Sequence, residues 1–224
     1  CPLYFDPHNE LWFVWRLDDI ITISRDPETF TSTEGNRPHI PPDPSMIHQD
    51  GEQHRKQRAL VAQGFSPKFI RKMDEDVRQI CRELLDQMIA KGEADLVEDL
   101  AAKLPMRVIA RMLGVPEEKE DWLRHQVDMF VQGGHGPQYV TDEVNEAFSA
   151  FIEHHEALVA ERQEKRGDDL LSVWMDAEID GEKLDESQLL FEHTLLTVGG
   201  SETTRNAIAG GIEELIRNPD QWDA

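Results

Sequence analysis

Val198-Gly199-Gly200-Ser201-Glu202-Thr203-Thr204 stands inside a run that otherwise reads as one long buried helix. Leu189-Leu190-Phe191-Glu192-His193-Thr194-Leu195-Leu196-Thr197 precedes it, and Ala207-Ile208-Ala209-Gly210-Gly211-Ile212-Glu213-Glu214-Leu215-Ile216-Arg217 follows. Each glycine in a helix interior costs about 1 kcal/mol against alanine. A carboxylate beside threonines in an apolar setting is costly as well, unless it is partnered. A segment that accepts both penalties at one place accommodates something other than packing. Asp185 or Ser187 opens the run, and Arg217 ends it before Asn218-Pro219. A helix of about 30 residues spans about 45 Å, wide enough to cross the middle of a large domain.

Adjacent glycines are expected to clear one helix face, so that a flat ligand can lie on bare backbone. A threonine hydroxyl can bond the carbonyl one turn earlier and bend or open the helix. The freed groups and Glu202 would then make a polar notch in an apolar wall. Such a notch suits proton delivery by a carboxylate and a hydroxyl. Gly-Gly-Ser lacks the spacing of a phosphate loop and follows no strand. Gly210-Gly211 reads as a place where a neighbouring helix crosses closely.

Outward from this helix the chain reads as mainly α with a small β element. Leu11 to Arg16 is aromatic and β-branched, as strands are, and Leu17 to Ser24 reads as a short helix. Residues 33 to 50 form a loop whose prolines (Pro38, Pro41, Pro42, Pro44) leave no room for a helix. From Glu52 the pattern is helical up to Gly64. Ser66-Pro67 is an N-cap followed by proline at the first helical position, and that helix runs through Lys91 to Gly92. Helical patterns recur at about 94–103, 105–113, 117–131, 141–166 and 168–176. Asp180-Gly181, between Ile179 and Leu184, reads as a tight hairpin turn.

The 224 residues suffice for one large domain, and 39% hydrophobic content makes it globular. The formal charge of −22, from 45 Asp and Glu against 23 Lys and Arg, argues against a nucleic-acid partner. Cys1 and Cys81 give no disulfide framework and fit a reducing cytoplasm. No apolar run approaches a membrane span. The chain begins at Cys and ends as a new helix opens, so a fragment of a longer protein is expected.

His54 and Arg58 are four residues apart and share one helix face. The pair could clasp a carboxylate-bearing ligand. By itself it reads first as a solvated basic patch within Arg55-Lys56-Gln57-Arg58. No metal site is expected: His154-His155-Glu156 lacks the second histidine of a zinc-protease motif. His193 reads as a core or edge histidine, and Cys81 as a buried small hydrophobe.

Together these residues resemble the bacterial cytochrome P-450 family. In that family a long central helix carries [Ala/Gly]-Gly-x-[Asp/Glu]-Thr-[Thr/Ser] over the distal haem face, and residues 199 to 204 match it throughout. The resemblance implies that Gly199 and Gly200 lie over haem b and oxygen. It makes Thr203 the hydroxyl that orients oxygen and its protons, and Glu202 the acid that feeds the relay. The family's Asp-x-x-x-His-x-x-x-Arg stretch before a Phe-Ser/Thr-Pro helix start is met by Asp50, His54 and Arg58 ahead of Phe65-Ser66-Pro67. By resemblance, His54 and Arg58 bind the haem propionates, which overturns the bland reading of that pair. The proline usual before that histidine is missing, and many members have Asp where Glu202 stands.

The resemblance covers the chain from end to end. Its nearest look is to actinobacterial members that hydroxylate steroid or cholesterol side chains, through Gly35-Asn36-Arg37-Pro38, Asp95 to Leu100 and Gln221-Trp222-Asp223. The family's Glu-x-x-Arg helix and its cysteine thiolate loop are not in this sequence. Residues 1–224 are thus expected to be a single-domain fragment with its oxygen-side helix at 185–217, lacking the proximal haem-thiolate half and inactive alone.

The implied parent is a cytoplasmic haem-thiolate monooxygenase for an apolar substrate, steroid or fatty acid, with a ferredoxin-type electron donor. Loop 33–48 and segment 131–140 are expected to be substrate lids. One rival is a peroxide-driven hydroxylase of the same fold, against which Glu202-Thr203 argues. The other is a cofactor-free acidic helical interaction module.

Overall fold

The computed structural model describes residues 3–37, 40–134 and 136–222. Pro38, His135, Cys1 and Asp223, used in the reading above, lie outside them. The chain is mainly α with one two-stranded sheet. Strands β1 (Leu3–Asp6) and β2 (Leu11–Val14) pair antiparallel, Leu3 opposite Val14 and Asp6 opposite Leu11. Aromatic cross-strand pairs, Tyr4 with Phe13 and Phe5 with Trp12, hold this ribbon. Helix α1 follows at Leu17–Ser24, as the sequence reading expects.

Local capping chemistry sets several of the helix bounds. Helix α2 covers Gly51–Ala62. Helix α3 covers Pro67–Lys91, begun by the Ser66 hydroxyl accepting from Phe69 N and ended at Gly92 with φ +77°. The expected helix at 94–103 is instead a π-type turn over Val97–Ala101, where Ala102 N–H donates to Val97 O at 2.8 Å. The widened turn swings Leu100 and Ala101 into the core. Helix α4 (Lys103–Leu113) then restarts, with Pro105 in its first turn, where no intrahelical N–H bond is lost.

Helix α4 is the hub: Met106, Ile109, Ala110 and Leu113 are all buried. It packs between α3, α5 (Glu120–Gly133) and α8 (Glu186–Arg217). Helix α6 (Asp142–Glu164) lies along α5, and the short α7 (Leu170–Asp176) closes the core with Trp174, whose indole N–H donates to Val61 O. The hairpin turn stands as read: Asp180 and Gly181 both have positive φ between Ile179 and Glu182, which bridge. Asp185 opens α8 through a full capping box with Gln188. Cys81 is only half-buried, not the buried hydrophobe expected.

Candidate active site on the central helix

The buried face of α8 is unusually polar. His193, Thr197 and Ser201 follow one another at i, i+4 and i+8 and are all buried. They can be, because each hydroxyl satisfies itself: Thr197 Oγ1 donates to His193 O at 2.8 Å, and Ser201 Oγ to Thr197 O at 2.5 Å. Small self-satisfied side chains let α8 approach α4 closely.

A second row on α8 faces away from that core. Phe191 and Leu195, with Thr194 and Val198 beside them, line a cavity of about 310 Å³. The row Phe191, Leu195, Gly199, Thr203 continues it by steps of four residues along one face. Gly199 has open space where a side chain would stand. Thr203 is exposed, and its hydroxyl donates to Gly199 O at 2.6 Å.

Gly200 does something else. A Cβ there would meet Ile109 Cδ1 at 2.6 Å, so this glycine clears room for α4. Adjacent helix positions point about 100° apart, and the glycines do not clear one face as expected. Gly199→Ala should raise stability by up to about 1 kcal/mol, the helix-propensity gain. Gly200→Ala should lower it, and Ile109→Val, which removes Cδ1 and leaves Cγ1, should recover part of that loss. Urea midpoints of the singles and the double check this; equal shifts for the two glycines would contradict the split. Gly210 and Gly211 likewise face open space, so no helix crosses them among the described residues.

Glu202 does not bond the Thr203 hydroxyl among the described residues. Its Oε1 accepts from Arg205 Nη2 at 3.1 Å and from Asn206 Nδ2 at 3.4 Å. Arg205 also donates to Asp128 on α5, and Arg124 holds that carboxylate from its other side. The helix stays continuous from Glu186 to Arg217, so the expected opening beside Thr203 is absent. The hydroxyl bond to Gly199 O adds to the helical ladder instead of replacing a rung of it.

His54 and Arg58 lie on α2, His54 half-buried and Arg58 exposed. His54 borders a hollow with Ser32, Met46, Asp50 and Arg55. Asp50, ahead of the pair, accepts from Thr31 Oγ1 and Ser32 N, each at 2.7 Å. The Thr31 hydroxyl bond, with that of Ser32, holds its carboxyl below the usual range. Arg58 makes no hydrogen bond or ion pair among the described residues. Among the described residues no hydrogen bond joins this pair to Gly199, but α2 reaches α8 through a group that sequence reasoning missed. Gln57 Nε2 donates to Glu192 Oε1 at 2.8 Å, and both residues are 1% exposed. A carboxylate in the apolar run Leu189 to Leu196 was the available signal.

Segments 33–48 and 131–140 both border one cavity. Ile40, Pro41, Ser45, Ile47 and His48 form one wall of the cavity, and Phe130, Val131, Gly133, Gly134 and Val140 another. Val144 and Phe148 of α6 complete it.

His193 is in the core as expected, but as half of a pair. His155 Nδ1 and His193 Nδ1 are 2.8 Å apart. His193 Nε2 is buried without a partner among the described residues. The less costly tautomer therefore puts the proton on His193 Nδ1, donating to His155 Nδ1, and leaves an acceptor rather than a donor unmatched. Burial pushes His155 down to about 4, and His193 and His154 also titrate below 6.5. Below pH 6.5 the unfolded chain takes up protons that the folded chain refuses, so stability falls as pH falls. Each refused proton costs up to about 1.4 kcal/mol per pH unit. Glu192, held above its ordinary value by burial, opposes this in part. Unfolding free energy should be about 2 kcal/mol lower at pH 5.5 than at 7.5; a flat urea profile would contradict the neutral pair.

The family model "Cytochrome P450" matches residues 122–224. A steroid C26-monooxygenase of Mycobacterium tuberculosis (strain CDC 1551 / Oshkosh) is 40% identical over 206 residues, covering 91% of this chain and 55% of the relative. A steroid C26-monooxygenase of Mycolicibacterium smegmatis is 37% identical over 98% of this chain and 55% of the relative. The cytochrome P450 of Mycobacterium marinum solved in complex with pseudoionone superposes with TM-score 0.84 at 29% identity, covering 98% of this chain and 58% of that structure. The chain spans about half the length of the curated relatives it matches. With a helical fold, a glycine-bared central helix and relatives that align along nearly its whole length, the chain belongs to the cytochrome P450 family.

Proposed function

We propose that this chain forms the oxygen-side half of a cytoplasmic haem-thiolate monooxygenase that places one oxygen atom of dioxygen into a C–H bond of a steroid. The observation that carries the reading is the row Phe191, Leu195, Gly199, Thr203, which runs from an apolar cavity onto bare helix backbone and ends at a hydroxyl. The name of the relatives, steroid C26-monooxygenase, supports the substrate class.

The residues fit haem b. Open space flanks Gly199, and Arg58 is a guanidinium without an ion pair among the described residues, in a chain of net charge −22. His54 and Arg58 would hold the propionates by charge and hydrogen bonding. Gly199 keeps its face free of side-chain atoms; Gly200 supports it by letting α8 seat on Ile109. When bound, haem supplies the activation of dioxygen, with electrons from a ferredoxin-type partner and a thiolate from outside these 224 residues. The Thr203 hydroxyl holds a proton at Oγ1 beside Gly199. The Glu202 carboxylate, once turned from Arg205, takes a proton from solvent and passes it to that oxygen, becoming a carboxylate again. The apolar cavity walls exclude water and orient the substrate.

The haem-loaded enzyme that contains these residues should give the shifted Soret band of a ferrous–CO thiolate complex. It should also convert progesterone to a product carrying one atom from labelled dioxygen. An enzyme that binds no haem would overturn the reading. The 224-residue chain alone should bind haem weakly and without that band.

A further inference from the structure

We propose that Glu192 is a positioning residue for the α8 cavity. It fixes the Asp43-to-His48 wall and ties that wall to the helix that carries His54 and Arg58. The inference rests on the reading of the cavity as the substrate site.

Glu192 lies on the flank of α8 turned from the cavity. Its Oε1 accepts from Met46 N at 2.6 Å and from Gln57 Nε2 at 2.8 Å. The same Gln57 amide nitrogen donates to Pro44 O at 2.7 Å, and Gln57 Oε1 accepts from Gln188 Nε2 at 3.2 Å. Gln188 in turn closes the capping box of α8 through Asp185 N. One continuous chain of hydrogen bonds thus runs from the start of α8, through α2, to the loop. Met46 opens the 3-10 turn Met46–His48, and Ser45, Ile47 and His48 of this segment face the cavity. Any shift of the Met46 amide therefore moves the cavity wall. His48 fastens the loop to itself, its Nε2 donating to Asn36 Oδ1 and its Nδ1 accepting from Asp43 N. Glu192 and Gln57 fasten it to the helices.

A buried carboxylate is an expensive way to fill this space, since apolar side chains would pack there at lower cost. They would leave Met46 N–H without a partner and take one of its two acceptors from Gln57 Nε2. What the carboxylate adds is one defined position for the loop backbone. The same Gln57 that contacts it lies beside His54 and Arg58 on α2. A cavity wall displaced by a ligand therefore pulls on the helix that carries those residues.

The test uses the 224-residue chain. Met46→Pro deletes the donor without straining the backbone: Ser45 is already extended (φ −66°, ψ 159°), and proline suits the first position of a helical turn. Met46 also packs on the core, so Met46→Ala, which loses the side chain and keeps the N–H, is the control. Glu192→Leu and Glu192→Gln complete the set, the glutamine keeping an acceptor oxygen. The readouts are progesterone binding by equilibrium dialysis and hydrogen exchange at the His48 and Gln49 amides, which bond Ser45 O and Met46 O.

Met46→Pro and Glu192→Leu should each weaken binding about tenfold and speed that exchange about tenfold, with α4 exchange unchanged. Met46→Ala and Glu192→Gln should stay within about threefold of the parent. If Met46→Pro matches Met46→Ala, or if Glu192→Leu speeds exchange in α4 as much as in the loop, the proposal is overturned. A parent chain that binds no progesterone counts against the substrate reading, and the exchange comparison then decides the positioning role.

Discussion

Asp169→Ala should lower the unfolding free energy by about 4 kcal/mol, because it strands a buried guanidinium. Asp169 Oδ2 accepts from Arg162 Nε at 2.7 Å, and the two side chains are 5% and 9% exposed. Arg162 Nη2 also donates to Gly114 O at 2.9 Å, capping the end of α4. Gly114 has φ +74°, and a Cβ there would meet Arg162 and Asp169 at 2.5 Å, so the pair is packed against bare backbone. Asp169 has a second duty: its Oδ1 accepts from Ser172 N and starts α7. Losing that cap accounts for about 1 kcal/mol of the total, and the uncompensated charge for the rest. Glu161 also touches Arg162 but is solvent-exposed, so it offers little in exchange. With domain stabilities of roughly 5–15 kcal/mol, the variant stands near unfolding at room temperature. Urea denaturation measures it. A loss under about 1 kcal/mol would mean that Arg162 finds water or Glu161 instead. Replacing both partners by apolar residues should cost less than removing Asp169 alone.

Elements whose limits are set by neighbouring residues in the chain were readable. Ser66-Pro67 and Gly92 bound α3 by capping chemistry, and Asp180-Gly181 makes its turn because both positions adopt positive φ. The motif of α8 was readable as an anomaly, since glycine and glutamate are costly there wherever the chain folds. Features set by distant partners were not. That Gly199 is open and Gly200 packed depends on Ile109, which is remote in sequence. Residues 94–103 have helical periodicity, but burying Leu100 and Ala101 required a wider turn than periodicity shows. Gln57 and Glu192 each look like surface residues until α2 and the loop close over α8. The His155–His193 bond joins two helices and leaves no mark in either local pattern.

Glu202→Gln should lower turnover of the haem-loaded enzyme by about 100-fold at saturating substrate, with little change in stability. Glutamine keeps the oxygen that Arg205 and Asn206 contact, so the ion network with Asp128 loses charge but not shape. It cannot give or take a proton at neutral pH, which is the step assigned to Glu202. Thr203→Val should produce a loss of similar size for a different reason: it keeps the volume and removes the hydroxyl. Thr203 is exposed and, among the described residues, its hydroxyl bonds Gly199 O alone, so folding should change by no more than about 0.5 kcal/mol. Thr203→Ser and Glu202→Asp should recover most of the activity. If both residues serve one relay, the double variant falls little below either single, because each alone already breaks the path. Additive losses would instead mean two independent routes. A Glu202→Gln enzyme within about threefold of the parent would move the acid elsewhere. Asp128 is then the next carboxylate to remove, since Arg205 bridges it to Glu202. Arg205 sharpens the test: it holds the Glu202 carboxylate turned from Thr203, so Arg205→Leu should change turnover when Glu202 is present and not in the Glu202→Gln variant.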